Sequence, residues 1–144
     1  MPNIFTLLNN SDFYRLSDIK QLFDKENSNP NSEFQNVMIK ALFGTTHNIL
    51  TIDDVSIICD GNIYNYSKIY KDLQIIPKTE YDYEVIIHLY KIYGIETTLQ
   101  VLDGIYAFIL IDNRITNSKD LDAKIYIARD PYGVKPLYIL KPNT

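Results

Sequence analysis

The amino-acid sequence predicts an α+β protein built on antiparallel sheets. Short runs rich in β-branched and aromatic residues occur near both ends of the chain, which is typical of strands. Between them lie segments whose apolar residues recur at helical spacing. The chain lacks the regular alternation of strand and helix that builds a parallel sheet. Its 144 residues, 46% of them hydrophobic, suffice for one domain with a sizeable core.

The first third of the chain is predicted to contain two strands that flank a helix. The apolar run Ile4–Leu8 is typical of a buried strand. Ser11 is the predicted N-cap of a helix, and apolar residues then recur with the helical period. These residues are Phe13, Leu16, Ile19 and Phe23. Turn formers at residues 27–32 predict a loop, and the apolar run at residues 37–43 predicts the second strand.

The middle of the chain is predicted to hold two further strands and a short helix. Residues 49–52 and 55–59 are rich in β-branched residues. The Asp-Gly-Asn run at residues 60–62 follows them and is a strong turn signal. A helix is predicted at residues 66–73, after this turn.

The last part of the chain is predicted to be a helical segment followed by strands. Apolar residues keep a helical period over residues 82–93, and Gly94 stands where a C-terminal cap belongs. A second helical piece is predicted at residues 98–102. The remaining β-rich runs predict strands at residues 106–111, 124–128 and 137–140, with a polar loop at residues 113–122.

The composition excludes several classes of function. A net charge of −4 and a pI of about 5.0 provide no basic field for nucleic acid or an anionic membrane. The chain has a single cysteine and therefore no internal disulfide framework. It shows no leader and no apolar stretch of about 20 residues, so we expect a cytoplasmic protein. Its five glycines form no phosphate-binding loop, and we expect no cofactor. Twelve tyrosines, no tryptophan and abundant Ile, Asn and Lys suggest an AT-rich genome, cellular or of a giant virus.

Four runs of the sequence form a specific set of motifs. They are Asp-Gly-Asn-Ile-Tyr-Asn-Tyr at residues 60–66, Asp-Tyr-Glu-Val-Ile-Ile-His-Leu-Tyr at 82–90, Gly-Ile-Tyr-Ala-Phe at 104–108 and Ala-Arg-Asp-Pro-Tyr-Gly-Val-Lys-Pro-Leu-Tyr at 128–138. In this order they resemble the glutaminase domain of glutamine-hydrolysing asparagine synthetases, which are class II glutamine amidotransferases of the N-terminal-nucleophile hydrolase fold. The resemblance implies an α-β-β-α sandwich of antiparallel sheets. It also implies a single amidotransferase type 2-like domain over residues 1–144, truncated at its C-terminus and without a synthetase domain.

The resemblance further implies which residues stand at the family's catalytic positions. In the family a cysteine follows the initiator methionine and attacks glutamine, whereas this chain has Pro2, which offers no side-chain nucleophile. The family's oxyanion hole consists of an Asn side chain and a Gly backbone N–H. Asp60 and Gly61 hold those positions here, and an ionised Asp60 has no donor for an oxyanion.

The positions that hold the two ends of glutamine in the family are changed as well. The Arg that pairs with the α-carboxylate corresponds to Ile49, and the acidic pair that binds the α-amine corresponds to Asn62 and Asp82. Of this pair only Asp82 keeps its carboxylate. The predicted vestigial pocket therefore consists of Pro2, Ile49, Asp60, Gly61, Asn62 and Asp82. We expect no catalytic residue in it and no binding of free glutamine.

These substitutions predict a degenerate amidotransferase domain that acts as an interaction or structural module. The alternative is a divergent glutaminase subunit that uses the amine of Pro2 and supplies ammonia to a separate synthetase. An unpaired sheet edge would favour association. We therefore expect a homo-oligomer or docking on a synthetase-like protein in trans.

The other chemically notable residues have ordinary structural interpretations. Cys59 ends an apolar run and is predicted to be a buried strand cysteine rather than a displaced nucleophile. His47 and His88 are isolated and lack the ligand spacing of a metal site, so we expect none.

Arg129, Asp130 and Lys135 leave two interpretations open. In the family this region lies near the junction with the synthetase domain, which implies a domain-junction surface. The alternative is a turn between two strands, braced by an Arg–Asp pair.

Overall fold

The computed structural model describes residues 4–8, 33–37, 41–45, 49–114 and 124–137. The chain divides into two compact units, Met1–Ile49 and Leu50–Thr144. The first unit contains an antiparallel sheet with the strand order β1-β3-β2. Its strands are β1 (Ile4–Leu8), β2 (Glu33–Val37) and β3 (Ala41–Thr45). The strand predicted at Ile4–Leu8 is confirmed. The helix predicted after Ser11 and the loop predicted at residues 27–32 lie outside the described residues.

The single strand predicted at residues 37–43 is wrong. The structure divides this run between two strands, because β2 ends at Val37 and β3 begins at Ala41, and these two residues pair with each other antiparallel. Six of its seven residues are apolar, the exception being Lys40, and it contains no Gly, Pro, Asn or Asp. Its local composition therefore gives no sign that the chain reverses within it.

The second unit contains a four-stranded antiparallel sheet and two helices. The elements are β4 (Leu50–Ile52), β5 (Val55–Ile63), α1 (Tyr66–Leu73), α2 (Glu84–Val101), β6 (Gly104–Asp112) and β7 (Lys124–Arg129). The strand order is β4-β5-β6-β7, so each strand pairs with its neighbour in the sequence. The predicted α+β class with antiparallel sheets is confirmed. No helix among the described residues is long and apolar enough to cross a membrane.

Both faces of the two central strands, β5 and β6, are mostly buried. Alternate residues of β5 and β6, such as Ile57 and Phe108, pack with Val85 and Leu89 of α2 in one apolar cluster. The residues that point to the opposite face are also buried, namely Ser56, Ile58, Ala107, Ile109 and Ile111. Each fully buried Ile or Phe side chain contributes about 1.5–3 kcal/mol. The two central strands therefore lie at the centre of the core of the second unit.

Helix α2 is interrupted at Gly94, whose backbone angles (φ 80, ψ 175) are not helical. The hydroxyl of Thr98 donates a hydrogen bond of 2.7 Å to the carbonyl of Gly94, which ties the second arm of the helix to the break. The sequence correctly predicts a helix that ends near Gly94 and a further helical piece after it. The second arm is longer than the predicted residues 98–102 because it follows Gly94 directly.

The turn predicted at residues 60–62 is wrong, since these residues continue strand β5 as far as Ile63. The chain leaves the sheet only at Tyr64 and Asn65. Gly61 has φ 138, an extended conformation with positive φ that other residues rarely adopt. At the end of the chain, Leu137 is not in a strand, and the rest of the strand predicted at residues 137–140 lies outside the described residues.

Candidate functional site

The structure places Asp60 and Lys135 in contact. Asp60 lies near the end of β5, where it pairs with Ala107 of β6. The ammonium of Lys135 lies 3.2 Å from Oδ1 of Asp60. The side chains are 15% and 28% exposed, so the ion pair is partly protected from water. A residue of the predicted pocket is thus joined to a residue of the predicted junction surface.

The segment that carries Lys135 is organised around the buried carboxylate of Asp130. Backbone N–H groups donate to it from Tyr132 (3.0 Å), Val134 (3.2 Å), Lys135 (3.4 Å) and Tyr106 of β6 (3.3 Å). Burial alone would raise the pKa of Asp130, but these hydrogen bonds outweigh burial and hold the pKa below its usual value. We call residues 130–137 the Asp130 loop.

The brace predicted between Arg129 and Asp130 does not describe how this turn is held. Backbone N–H groups satisfy the Asp130 carboxylate, whereas the Arg129 guanidinium lies beside Gly133. A Cβ atom at Gly133 would lie 2.8 Å from that guanidinium. The loop is therefore held by its own backbone around one buried anion.

Asp82 lies at the end of β5, on the segment that precedes helix α2. Its Oδ2 accepts a hydrogen bond of 2.8 Å from the backbone N–H of Ile63. This contact fixes the segment before α2 against the strand that carries Asp60. The structure thus brings Asp82 to the same end of β5 as residues 60–62.

Gly61 and Asn62 follow Asp60 on the same strand. A Cβ atom at Gly61 would lie 1.9 Å from the carbonyl oxygen of Ile105 on β6, so only glycine fits there. Asn62 is exposed and pairs with Ile105. The close approach of the two backbones explains why this position requires glycine.

Comparison with known proteins identifies the family of this domain. The family described as glutamine amidotransferase domain matches residues 46–144, which is more than half of the chain. The chain belongs to this family. Its match includes the strand that carries Asp60 and the loop that carries Lys135.

Curated relatives support a narrower relationship. The amidotransferase domain is 39% identical over 79 residues to the protein named asparagine synthetase (glutamine-hydrolyzing) of Homo sapiens. The identity is 40% for the protein of that name in Bos taurus and 42% in Gallus gallus. Each match covers 55% of this chain and 13% of the relative. The predicted relationship to the glutaminase domain of asparagine synthetase is confirmed, although the chain matches only a small part of each relative's length.

Two residues of the predicted pocket belong to the first unit of the chain. Pro2 lies outside the described residues. Ile49 is half-buried and directly precedes β4. The contacts described above therefore concern the pocket residues of the second unit only.

Cys59 is buried in β5, as predicted, with 2% of its surface exposed. Burial raises the pKa of its thiol, and the charges of Asp82 and Asp60 raise it further, while Lys135 opposes them. The thiol is protonated at neutral pH and is therefore a poor nucleophile.

The sequence does not reveal the role of Glu84, which is fully buried at the start of α2. It accepts hydrogen bonds from the N–H groups of Lys78 (2.8 Å) and Thr79 (2.6 Å), from the Thr79 hydroxyl (2.7 Å) and from Nε2 of His88 (2.9 Å). An acidic residue in the first helical turn is a common feature of helices, but its partners Lys78 and Thr79 lie in an irregular segment before the helix. Among the described residues, no group of three or more His, Cys, Asp or Glu side chains could hold a metal ion.

Proposed function

We propose that this chain is an amidotransferase domain that no longer hydrolyses glutamine and acts as an interaction or structural module, in the cytoplasm. The observation that carries the proposal is the ion pair between Asp60 and Lys135. Asp60 stands where the family resemblance expects the Asn that donates to the oxyanion. Its place in the strand next to Gly61 agrees with that alignment.

The chemistry of Asp60 opposes glutamine hydrolysis. A carboxylate accepts hydrogen bonds and cannot donate one to a developing oxyanion. Removal of one oxyanion donor typically reduces kcat by about 10²- to 10³-fold, and a negative charge at that place is worse than an empty one. Lys135 offsets the charge of Asp60, but its ammonium is then already engaged with a carboxylate.

The positions expected to bind the α-amine of glutamine also support the proposal. Oδ2 of Asp82 is engaged by the backbone N–H of Ile63, and Asn62 is exposed and uncharged. One carboxylate with one oxygen already engaged is a weak site for an ammonium group in water. We therefore propose that free glutamine does not bind with a dissociation constant below about 1 mM, or about 4 kcal/mol of binding.

The surface of the Asp130 loop supports the second half of the proposal. Tyr132 is 91% exposed and Val134 is 55% exposed, on a loop whose backbone is held around Asp130. An aromatic side chain on a held backbone contributes strongly to an interface because little conformational entropy is lost on binding. We propose that this surface joins a second copy of the chain or a synthetase-like protein in trans.

A glutaminase assay tests the catalytic half of the proposal. Wild-type protein, with its mature N-terminus verified by mass spectrometry, should release no glutamate from glutamine above a heat-killed blank. The Asp60→Asn variant, assayed in parallel, should also release none, because Pro2 still offers no side-chain nucleophile. A gain of activity in it would show that Asp60 alone had removed activity. Glutamate release by the wild type would overturn the proposal and favour a glutaminase subunit that supplies ammonia.

Light scattering coupled to size exclusion tests the interaction half. The wild type should associate at tens of micromolar, or retain a synthetase-like protein in a pull-down, and Tyr132→Ser should weaken either association. Tyr64→Ser is the matched control, because Tyr64 is also exposed, at 61%, but lies outside the loop. A monomeric wild type without a retained partner, or equal effects of the two variants, would contradict the proposal.

A further inference from the structure

The Asp130 loop is attached to the sheet at two points of different character. At its start, the N–H of Asp130 donates a hydrogen bond of 2.8 Å to the carbonyl of Tyr106, and the Asp130 carboxylate is 2% exposed. Near its end, Lys135 reaches Asp60 through a flexible side chain, and both members of that pair retain some exposure. The attachment at Asp130 consists of buried hydrogen bonds to the backbone, whereas the attachment at Lys135 is a partly exposed ion pair.

Two exposed apolar side chains of the loop lie between these two attachments. Tyr132 and Val134 follow the buried Asp130 and precede Lys135. Among the N–H groups of the loop itself, those of Val134 and Lys135 form longer hydrogen bonds to Asp130 (3.2 and 3.4 Å) than that of Tyr132 does (3.0 Å). This end of the loop thus has weaker backbone bonding and depends more on the ion pair.

We propose that Lys135 and Asp60 form a latch that couples the end of strand β5 to the exposed surface at Tyr132 and Val134. When the pair is formed, the loop is held at both ends and presents one surface. When the pair breaks, the Lys135 end of the loop is released and the Asp130 end stays bound. An event that changes the charge at Asp60 thereby changes the surface of the loop.

The relative strength of the two attachments supports this order of opening. A lysine ammonium paired with a partly exposed carboxylate is weakened by salt and by the entropy of the long side chain. A buried carboxylate that accepts several backbone N–H groups is screened much less. The latch therefore opens before the centre of the loop does. The latch operates whether or not the domain hydrolyses glutamine.

Amide hydrogen exchange, followed by NMR, measures the latch directly. In Lys135→Met and in Asp60→Asn, exchange of the Val134 and residue-135 amides should be about fivefold faster than in the wild type. The amide of Ile58, which is fully buried in β5, should exchange at the wild-type rate. Lys68→Met is the matched control, since Lys68 forms an exposed pair with Asp72 at 2.8 Å and is remote in sequence from the loop.

Two further variants test whether the substitutions at Asp60 and Lys135 act through the same ion pair or independently of each other. The double variant Asp60→Asn/Lys135→Met should exchange no faster than either single variant, because each change removes the same pair. The charge-reversed variant Asp60→Lys/Lys135→Asp should recover part of the protection. Additive effects, or rates equal to those of Lys68→Met, would overturn the latch.

The wild-type protein alone provides a test that needs no substitution. Raising the salt concentration from about 0.05 M to 1 M should accelerate exchange at Val134 and Lys135, because it screens the pair. The exchange rate of the Ile58 amide should not increase with salt. A loop whose exchange does not depend on salt would overturn the latch. The glutaminase assay reports separately on catalysis, so the two proposals fail on different measurements.

Discussion

The hydroxyl of Tyr90 on helix α2 donates a hydrogen bond of 2.6 Å to Oδ2 of Asp112, at the end of strand β6. Arg114 donates to the same carboxylate through its backbone N–H (3.0 Å), Nε (2.9 Å) and a terminal nitrogen (2.8 Å). The Asp112 side chain is only 4% exposed. One buried carboxylate thus joins the helical layer to the end of the sheet.

The Asp112 network predicts a defined pH dependence of stability. Burial alone would raise the pKa of Asp112, but hydrogen bonds from Arg114 and Tyr90 outweigh it and hold the pKa at about 2. A carboxylate with a lowered pKa stabilises the fold above its unfolded pKa of about 4, and this stability is lost as the pH falls through about 2. Urea unfolding should show Asp112→Asn to be less stable than the wild type by about 2 kcal/mol at pH 6. The difference in the free energy of unfolding between the wild type and Asp112→Asn should decrease below pH 4. A difference that does not change with pH would contradict this account.

Gly61 should tolerate alanine much less well than Gly94. Both glycines have positive φ, 138 and 80, so alanine is strained at either position by about 1–3 kcal/mol. A Cβ atom at Gly61 would also collide with the Ile105 carbonyl, whereas nothing lies within 4 Å of one at Gly94. Chemical denaturation of Gly61→Ala and Gly94→Ala should therefore show a clearly larger loss for Gly61→Ala. Equal losses would mean that the close approach of β5 and β6 relaxes easily.

Asp54→Gly should stabilise the domain. Asp53 and Asp54 form the two-residue connection between β4 and β5, and their φ angles are 48 and 63. A two-residue hairpin with positive φ at both positions favours glycine at the second. We expect a gain of about 0.5 kcal/mol in the free energy of unfolding, measured by thermal unfolding. Asp53→Gly is the comparison variant and should gain less, because Asp53 is paired with Lys91. No gain from Asp54→Gly would contradict the role assigned to the turn.

An element of the second unit could be predicted from the sequence where the residues that determine it are close together in the chain. The helix predicted at residues 66–73 is observed at Tyr66–Leu73, because its apolar positions and its flanking turn lie in one short stretch. The Asp-Gly-Asn run at residues 60–62 is misleading for the opposite reason. Glycine is required at position 61 because the backbone of Ile105, which is distant in the sequence, leaves no room for a Cβ atom.

The sequence could predict which residues belong to the candidate site, but not the contacts between them. Family resemblance drew attention to Asp60, Asp82 and Lys135, and the structure pairs Asp60 with Lys135 and holds Asp82 against Ile63 of the same strand. The ion pair between Asp60 and Lys135 depends on how the Asp130 loop folds back on the sheet. Neither periodicity nor a motif encodes that contact, so it could not be predicted from the sequence.

Glu84→Gln should weaken the fold and loosen the segment that positions Asp82. The Glu84 carboxylate accepts hydrogen bonds from Lys78, Thr79 and the His88 ring, so an amide NH2 in its place would face the N–H groups of Lys78 and Thr79. Burial alone would raise the pKa of Glu84, but hydrogen bonds from Lys78, His88 and Thr79 hold it below its usual value.

Replacement of this buried acceptor should reduce the free energy of unfolding by about 2–3 kcal/mol in urea. Glu96→Gln is the matched control, because Glu96 is exposed on the same helix, and it should have little effect. Since Glu84 holds residues 78 and 79 and Asp82 lies between them and α2, the hydrogen bond from Ile63 to Asp82 should also weaken. Faster exchange of the Ile63 amide in Glu84→Gln, but not in Glu96→Gln, would link this buried carboxylate to the candidate site. An unchanged Ile63 rate in a destabilised Glu84→Gln would show that Asp82 is positioned without it.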